Sequence, residues 1–479
     1  MPAPIEDLDS RLARIFKAYD IRGTVPDELD EVTASFIGAA FARFVSDEGH
    51  DRVLVGRDMR RSGVELSRGF IGGVRSEGLA VVNLGLCSTD LVYFASGYLA
   101  APAAMLTASH NPARYNGIKL CLAGASPIGE ASGLRTIQKL AGAIGQAAEG
   151  GALYPGGRGA EQERDLLAEF VSHAHSFIDT ARLAPLSIVA DTANGMGGLT
   201  APRVFAGLPP HLDLLYGELD GTFPNHPADP IQAENLVDLA RVVREKHADV
   251  GLAFDGDADR VFLLDELGEP LSGSLTTAIV ADAMLKKFPH ATVLYNCICS
   301  KAVPEVIEEH GGKAIRTRVG HSYIKAVMAE TGAVFGGEHS GHYYFRDNWR
   351  ADSGIIAALV VLEALSASGV PLSVLRRSYE RYADSPEINT EVSDPEAVIR
   401  AVTATFTERG ASCDLLDGLT ADLGSWWFNL RPSNTEPLLR LNLEAADVRE
   451  RDLHLGEVLA LITEIDARRT ELAPGSGAD

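Results

Sequence analysis

Val250-Gly-Leu-Ala-Phe-Asp255-Gly-Asp257-Ala-Asp259-Arg260-Val-Phe-Leu-Leu264 consists of two short apolar runs joined by an acidic loop. Each run has the length and unbroken hydrophobicity of a buried strand, so the loop between them is pinned at both ends. Three carboxylates alternate over five residues, and Arg260 follows at once. Alternate residues of an extended segment point the same way. Read as extended, this piece of backbone offers three oxygens to a small hard cation, which binds carboxylates and keeps open positions for a phosphate. An EF-hand is opposed: Glu266 is the twelfth residue from Asp255, but Arg260 stands where that loop needs glycine, and strands flank it instead of helices. A solvated acidic turn and a phosphatase with an aspartate nucleophile stay open at this point.

The arrangement around this hairpin recurs. Arg52-Val-Leu-Val-Gly-Arg57 is followed by a helix to about Glu77 and the strand Leu79-Ala-Val-Val-Asn-Leu84. Leu186-Ser-Ile-Val-Ala-Asp191 opens a second unit and leads into Thr192-Ala-Asn-Gly-Met-Gly-Gly198. Ala291-Thr-Val-Leu-Tyr-Asn296 opens a third, with a helix near Val303 to Glu309 and a strand at Lys313-Ala-Ile-Arg316. Strands alternating with helices predict α/β layers, and the recurrence predicts related domains. Trp426-Trp-Phe-Asn-Leu430 and Leu438-Leu-Arg-Leu-Asn-Leu443 give a last unit strands of its own. A Gly/Ala-rich stretch over 145–159 reads as a linker, and turns fall at Asp265 to Pro270 and Tyr382 to Pro386. The expected domains are therefore 1–152, 153–267, 268–382 and 383–479. The tail from Pro474 reads as disordered.

Bulk properties narrow the class. The chain has 479 residues, 46% hydrophobic and 23% charged, as an ordinary globular protein does. A net charge of −23 argues against nucleic acid and anionic membrane as partners, since both need a basic surface. Five cysteines in no framework spacing, with Cys297 and Cys299 in an apolar run, read as buried reduced thiols in a reducing compartment. The N-terminus is acidic and lacks an apolar signal core. The longest apolar stretch, Ile355 to Leu365, fits a core helix capped by Asp352 or Ser353 and is too short to span a bilayer. A cytoplasmic location is expected.

Three further loops carry chemistry. Thr107-Ala-Ser-His-Asn-Pro112 follows the apolar run Ala103 to Leu106 and sets Ser109 beside His110 at a strand end. A hydroxyl there can accept and donate a phosphoryl group if a metal and cations offset the charge; a capped turn is the plainer reading. Gly336-Gly-Glu-His-Ser-Gly-His342 offers a close backbone approach and polar groups for vicinal sugar hydroxyls. Its rivals are a zinc site and a bare polar loop. Arg431-Pro-Ser-Asn-Thr-Glu-Pro437 offers a guanidinium, two hydroxyls and an amide to a phosphate dianion, or is an ordinary turn. Arg22, Lys119, Arg318 and His321 are scattered polar residues that gain interest only together.

Together these segments resemble the α-D-phosphohexomutase superfamily, most closely its phosphomannomutase/phosphoglucomutase group. The phosphoserine loop (Thr107 to Pro112), metal loop (Asp255 to Arg260), sugar loop (Gly337 to His342) and phosphate loop (Arg431 to Pro437) occur in the family's order, and Tyr19-Asp-Ile-Arg22 is similar to its N-terminal motif. The resemblance implies three related α/β domains with mixed sheets and a smaller C-terminal α+β domain around a central cleft. It implies phosphate on Ser109 and Mg²⁺ held by Ser109, Asp255, Asp257 and Asp259. His110, Lys119 and Arg260 would act in phosphoryl transfer. Arg22, His321, Glu338, Ser340, His342, Arg431, Ser433, Asn434 and Thr435 would bind a hexose phosphate, which passes through a hexose 1,6-bisphosphate. Mannose 1-phosphate and mannose 6-phosphate are the expected pair, with glucose phosphates also used. A dedicated phosphoglucomutase or phosphoglucosamine mutase and a silent sugar-phosphate-binding protein are the alternatives. One position departs from the pattern: Ile298 stands where some members carry a lysine, and Lys301 is the nearest substitute. Monomer and dimer both remain open.

Overall fold

The computed structural model describes residues 8–148, 159–433 and 438–472. Asn434 and Thr435, most of the expected linker and the C-terminal tail lie outside the described residues. Four sheets succeed one another along the chain. In the first, Arg52–Arg57 runs parallel to Ala80–Leu86 and to Ala103–Leu106, and the sheet turns antiparallel where Ala103–Leu106 meets Tyr115–Leu122. The helices Gly63–Ser76 and Thr89–Tyr98 supply the crossovers that parallel pairing needs. In the second, Ser187–Asp191 runs parallel to Val250–Phe254, which pairs antiparallel with Val261–Leu264. In the third, Thr292–Asn296 runs parallel to Phe335–Gly337, which pairs antiparallel with Tyr343–Phe345. The fourth sheet is antiparallel in all its pairings, including Trp426–Pro432 with Leu438–Ala445.

This topology explains where the four chemical loops lie. Each joins the two strands of an antiparallel pair within its own sheet. Backbone hydrogen bonds on both sides of such a loop fix its ends, which makes it a good place to hold side chains in a set geometry. Mixed sheets in the first three units and an antiparallel C-terminal sheet with the helices Pro395–Glu408 and Val448–Leu472 give the expected fold class.

Packing separates the last unit from the others. One apolar core runs through the first three, joining Phe94, Phe254 and Tyr343 through the helix Gly354–Ser368. Ser353 is the cap of that helix and accepts from the Ile356 amide at 3.2 Å. The C-terminal sheet has a separate core around Phe406, Phe428 and Val458. Polar ties connect it to the third unit: Lys301 donates to Asp422 at 2.7 Å, the Val319 amide to Asp417 at 3.0 Å, and Arg316 pairs with Asp414. Lys301 is thus committed to the C-terminal domain, and Ile298 is buried.

The sheets exchange the chain later than the expected junctions at 152 and 267. Glu161–Glu163 still pairs with the first sheet, and Pro270–Leu271 with the second, because each closes an open strand edge. The expected linker also begins later. The helix Leu134–Ala147 runs through Gly145, which packs closely against Leu8 and Phe36. Among the described residues no single helix is long and apolar enough to cross a membrane.

Candidate active site

Ser109 begins the site. Its backbone has φ of +48°, a region that residues other than glycine enter at a cost and hold only when their surroundings demand it. Arg60 supplies much of that demand. Its side chain is 1% exposed and donates to the carbonyl oxygens of Ser109 (2.8 Å), Asn111 (2.6 Å), Pro112 (2.9 Å) and Tyr115 (2.9 Å). Asp58 accepts from Arg60 Nε at 3.2 Å and from the Thr107 hydroxyl at 2.7 Å, and that hydroxyl accepts the Ser109 amide at 2.9 Å. One planar guanidinium therefore winds the whole loop around itself. Sequence reading missed both residues, although Asp58 and Arg60 stand two apart at the end of a buried strand. Arg60→Met would leave Asp58 without its buried countercharge and strip the guanidinium from four carbonyls. We expect it to cost the fold about 3–5 kcal/mol and the turnover about a hundredfold, read by urea denaturation and by kcat. Wild-type values for both would refute the role.

The Ser109 hydroxyl donates to Asp255 Oδ2 at 2.7 Å, and Arg260 Nη2 reaches the same oxygen of Ser109 at 3.3 Å. Arg260 also donates from Nε to Asp255 Oδ2 at 2.9 Å and from Nη2 to His110 Nδ1 at 2.6 Å. An arginine cannot accept, so His110 Nδ1 is the acceptor and the ring is neutral there. Burial, then the charges of Arg260 and Arg22, hold His110 well below its ordinary pKa. Arg22 donates to Asn111 at 2.5 Å and thereby borders the same loop. No room is left for a side chain at position 256: a Cβ on Gly256 would lie 2.5 Å from the Ser109 carbonyl oxygen.

Asp255, Asp257 and Asp259 are fully or almost fully buried and present ligand oxygens all within 4.8 Å of one another. They do not gather by strand alternation, as the sequence suggests. The segment curls into a turn with Ala258 at φ +61°, and this curl brings Asp259 back toward Asp255. Lys119 donates to Asp257 at 2.8 Å and to Asp259 at 2.6 Å, and Thr89 donates to Asp257 at 2.6 Å. One oxygen each of Asp257 and Asp259, both Oδ1, is buried and accepts no hydrogen bond among the described residues. Such orphaned oxygens are costly unless something positive meets them. Burial, together with the charges of Asp257 and Asp259, pushes Asp255 up to about 7 against the pull of Arg260. The donor set is all hard oxygen, so the triad fits a hard divalent cation.

The loop Gly337 to His342 closes on the same place. Glu338 is 2% exposed and accepts from the Gly320 amide at 2.9 Å and the Tyr344 hydroxyl at 3.1 Å, with Ser340 at 3.4 Å. Gly341 takes φ of +85°, which lets the loop turn back on Glu338. His342 Nδ1 pairs with Asp352 at 2.8 Å and lies 3.9 Å from Asp259. Burial depresses His342, but Asp259 and the Asp352 hydrogen bond outweigh it and raise the ring above its ordinary pKa. Behind them lies Lys325, a buried ammonium 3.1 Å from Asp352 and 3.9 Å from the centre of the Tyr93 ring. Neither Asp352, as a partner of His342, nor Lys325 was visible in the sequence. His321 opens the helix His321–Thr331 with its ring 5.5 Å from Tyr19, and burial, then Lys325, lowers it to about 3. Arg431 is engaged in hydrogen bonds with Glu387 at 2.5 Å and Asn442 at 2.8 Å. Ser433 ends the described part of its loop.

Known proteins share this architecture. Residues 13–147, 168–268 and 272–382 match the α/β/α domains I, II and III of phosphoglucomutase/phosphomannomutase, and residues 387–455 match the C-terminal domain. A protein of Xanthomonas campestris pv. campestris (strain B100) named phosphohexose mutases is 39% identical over 90% of this chain and 94% of its own. A phosphomannomutase of Salmonella montevideo is 35% identical over 93% of this chain and 98% of its own. The crystal structure of a phosphoglucomutase/phosphomannomutase family protein from Burkholderia thailandensis superposes with a TM-score of 0.83 at 32% identity, covering 97% of this chain and 98% of the other.

Proposed function

This chain belongs to the phosphoglucomutase/phosphomannomutase family, and on that premise we propose that it interconverts mannose 1-phosphate and mannose 6-phosphate, and acts on the glucose pair as well. It is an enzyme of the phosphohexomutase class. The observation that carries the mechanism is the meeting of Ser109 with the carboxylate triad: a hydroxyl 2.7 Å from Asp255, flanked by Arg260 and a short step from Lys119.

Phosphoryl transfer is mostly positioning and charge neutralisation. In our reading the resting enzyme carries a phosphoryl group on Ser109 Oγ. A sugar hydroxyl attacks that phosphorus as the Ser109 Oγ–P bond breaks, giving a hexose 1,6-bisphosphate. The bisphosphate turns over in the cleft, and Ser109 takes back the other phosphoryl group. Arg260 and Lys119 offset charge on the transferring group. His342 takes the proton of the attacking hydroxyl: Asp352 occupies Nδ1 and leaves Nε2 for that task. Glu338 and Ser340 hold sugar hydroxyls, and Arg431 with Ser433, Asn434 and Thr435 holds the phosphate that does not react. Mg²⁺ on the triad and Ser109 would act as a Lewis acid toward the phosphoryl oxygens.

A site that grips the phosphate and the hydroxyls away from C2 does not discriminate mannose from glucose, which is why both sugars are expected to serve. The test is a parallel assay of mannose 1-phosphate and glucose 1-phosphate with Mg²⁺ and a trace of glucose 1,6-bisphosphate. Conversion of both to their 6-phosphates is the expected result. Conversion of glucosamine 1-phosphate alone, or release of inorganic phosphate without isomerisation, would overturn it.

A further inference from the structure

Lys325 is an ammonium buried on unusual terms. It projects from the helix His321–Thr331 and is 2% exposed, yet its Nζ donates no hydrogen bond among the described residues. It lies 3.1 Å from Asp352 Oδ1, 3.9 Å from the centre of the Tyr93 ring and 5.8 Å from that of Tyr344. Asp352 Oδ1 accepts no hydrogen bond either, so charge alone joins the two. A cation desolvated in this way costs more than an apolar side chain of similar length. Filling space therefore does not account for it.

Two carboxylates compete for His342. Its Nδ1 lies 2.8 Å from Asp352 Oδ2 and 3.9 Å from Asp259 Oδ1, and the latter oxygen is buried without a donor. The main chain beside Asp352 is fixed, because Ser353 donates to Asp90 at 2.7 Å and accepts from the Ile356 amide. The Asp352 carboxylate can still turn about its own bonds. A turn would free the imidazole N–H for Asp259 and swing the ring towards the triad. Lys325 is what meets the second oxygen of Asp352 and opposes that turn. We infer that Lys325 is a positioning residue for the proton transfer: it pins Asp352, Asp352 keeps the Nδ1–H of His342, and Nε2 stays aimed at the sugar hydroxyl. The inference rests on the reading of His342 as the base. In that step the hydroxyl proton passes to Nε2, Nδ1 keeps its own proton, and Asp352 and Lys325 exchange none. Tyr93 supports Lys325 from the helix Thr89–Tyr98, whose first residue donates to Asp257. One helix thus braces both the base and the triad.

The test is a double-mutant cycle in kcat and KM, with mannose 1-phosphate and glucose 1-phosphate as substrates. Lys325→Met is expected to lower kcat about ten- to a hundredfold, as a misaimed group does. KM should move by less than about twofold, because the residue stands behind the site. On an Asp352→Asn background the same substitution should cost less than about twofold in kcat, since Lys325 acts through that carboxylate. Unchanged kcat, a KM that rises as kcat falls, or two losses that multiply would each overturn the inference. A second readout needs no activity. A crystal structure of Lys325→Met, grown with chelator so that Asp259 is free, is expected to show His342 Nδ1 on Asp259. A ring still held by Asp352 would overturn the inference. Lys325→Gln takes the place of Lys325→Met if the latter does not fold, with the same results expected. If the wild-type protein turns over neither sugar phosphate, the hexose reading fails on its own account, and the ring position in the crystal decides the role of Lys325.

Discussion

Ser109→Ala should lower the turnover of hexose 1-phosphate by at least about a thousandfold, equivalent to about 4 kcal/mol of barrier, while leaving the fold in place. The size follows from the absence of a stand-in. Thr107 and Thr89 are the hydroxyls drawn into the same hydrogen-bond network, and both are occupied: Thr107 donates to Asp58 and accepts the Ser109 amide, and Thr89 donates to Asp257. Neither can carry a phosphoryl group without dismantling the loop or the triad. The variant should still bind substrate, because the gripping residues do not depend on the hydroxyl, so KM should move little beside kcat. Stability should change by less, since Asp255 keeps Arg260 as a partner at 2.9 Å. Phosphate labelling of the purified chain gives an independent readout: the wild-type protein should take up one labelled phosphoryl group from glucose 1,6-bisphosphate and the variant none. Turnover above about 1% of wild type, or label retained in the variant, would place the phosphoryl carrier elsewhere.

The four loops were legible in the sequence because the information was local. Each is a run of polar residues bounded by apolar strands, and in all four the polar groups sit within six or seven consecutive positions. The α/β alternation was readable for the same reason. What the sequence could not give was pairing over long separations. Arg60 is 49 residues from Ser109, and only the sheet order, with Arg52–Arg57 beside Ala103–Leu106, brings it under the Ser109 loop. Asp352, two residues ahead of the helix Gly354–Ser368, pairs with His342, and Lys325 from the helix His321–Thr331 pairs with Asp352 in turn; neither residue lies in a motif. The triad shows a subtler failure. Its residues were identified, but the stated reason was an extended backbone, and the chain forms a turn with a left-handed Ala258 instead. Residue types pointed to the carboxylate cluster; backbone strain, which no composition reveals, set its geometry. Lys301 is the opposite case. It was a plausible substrate ligand by position, and Asp422 claims it as a tie between domains.

The second large effect concerns the cation. Chelation of divalent metal, or Asp259→Asn, should lower kcat by about a thousandfold, and both should also register without an activity assay. Three carboxylates are buried side by side with one lysine and one arginine among them, and Asp257 Oδ1 and Asp259 Oδ1 are left without donors. That is an arrangement under repulsion, which a cation relieves. A ligand present at about a hundred times its dissociation constant stabilises the state that binds it by about 2.7 kcal/mol. The melting temperature of the wild-type chain should therefore rise on going from chelator to millimolar Mg²⁺. Asp259→Asn removes one of the crowded charges and keeps the partner of Lys119 in Asp257. In chelator it should melt at or above the wild-type temperature, and in Mg²⁺ it should gain little. The two proteins thus exchange order between the two conditions, and an ordinary loss of packing cannot produce that reversal. A wild-type protein indifferent to Mg²⁺ would remove the cation from this triad, and a variant that gains as much as the wild type would move it to other ligands. The crossing of the two melting curves would tie the metal to Asp259 itself, and through the 2.7 Å bond from Ser109 to Asp255 to the atom proposed to carry the phosphoryl group.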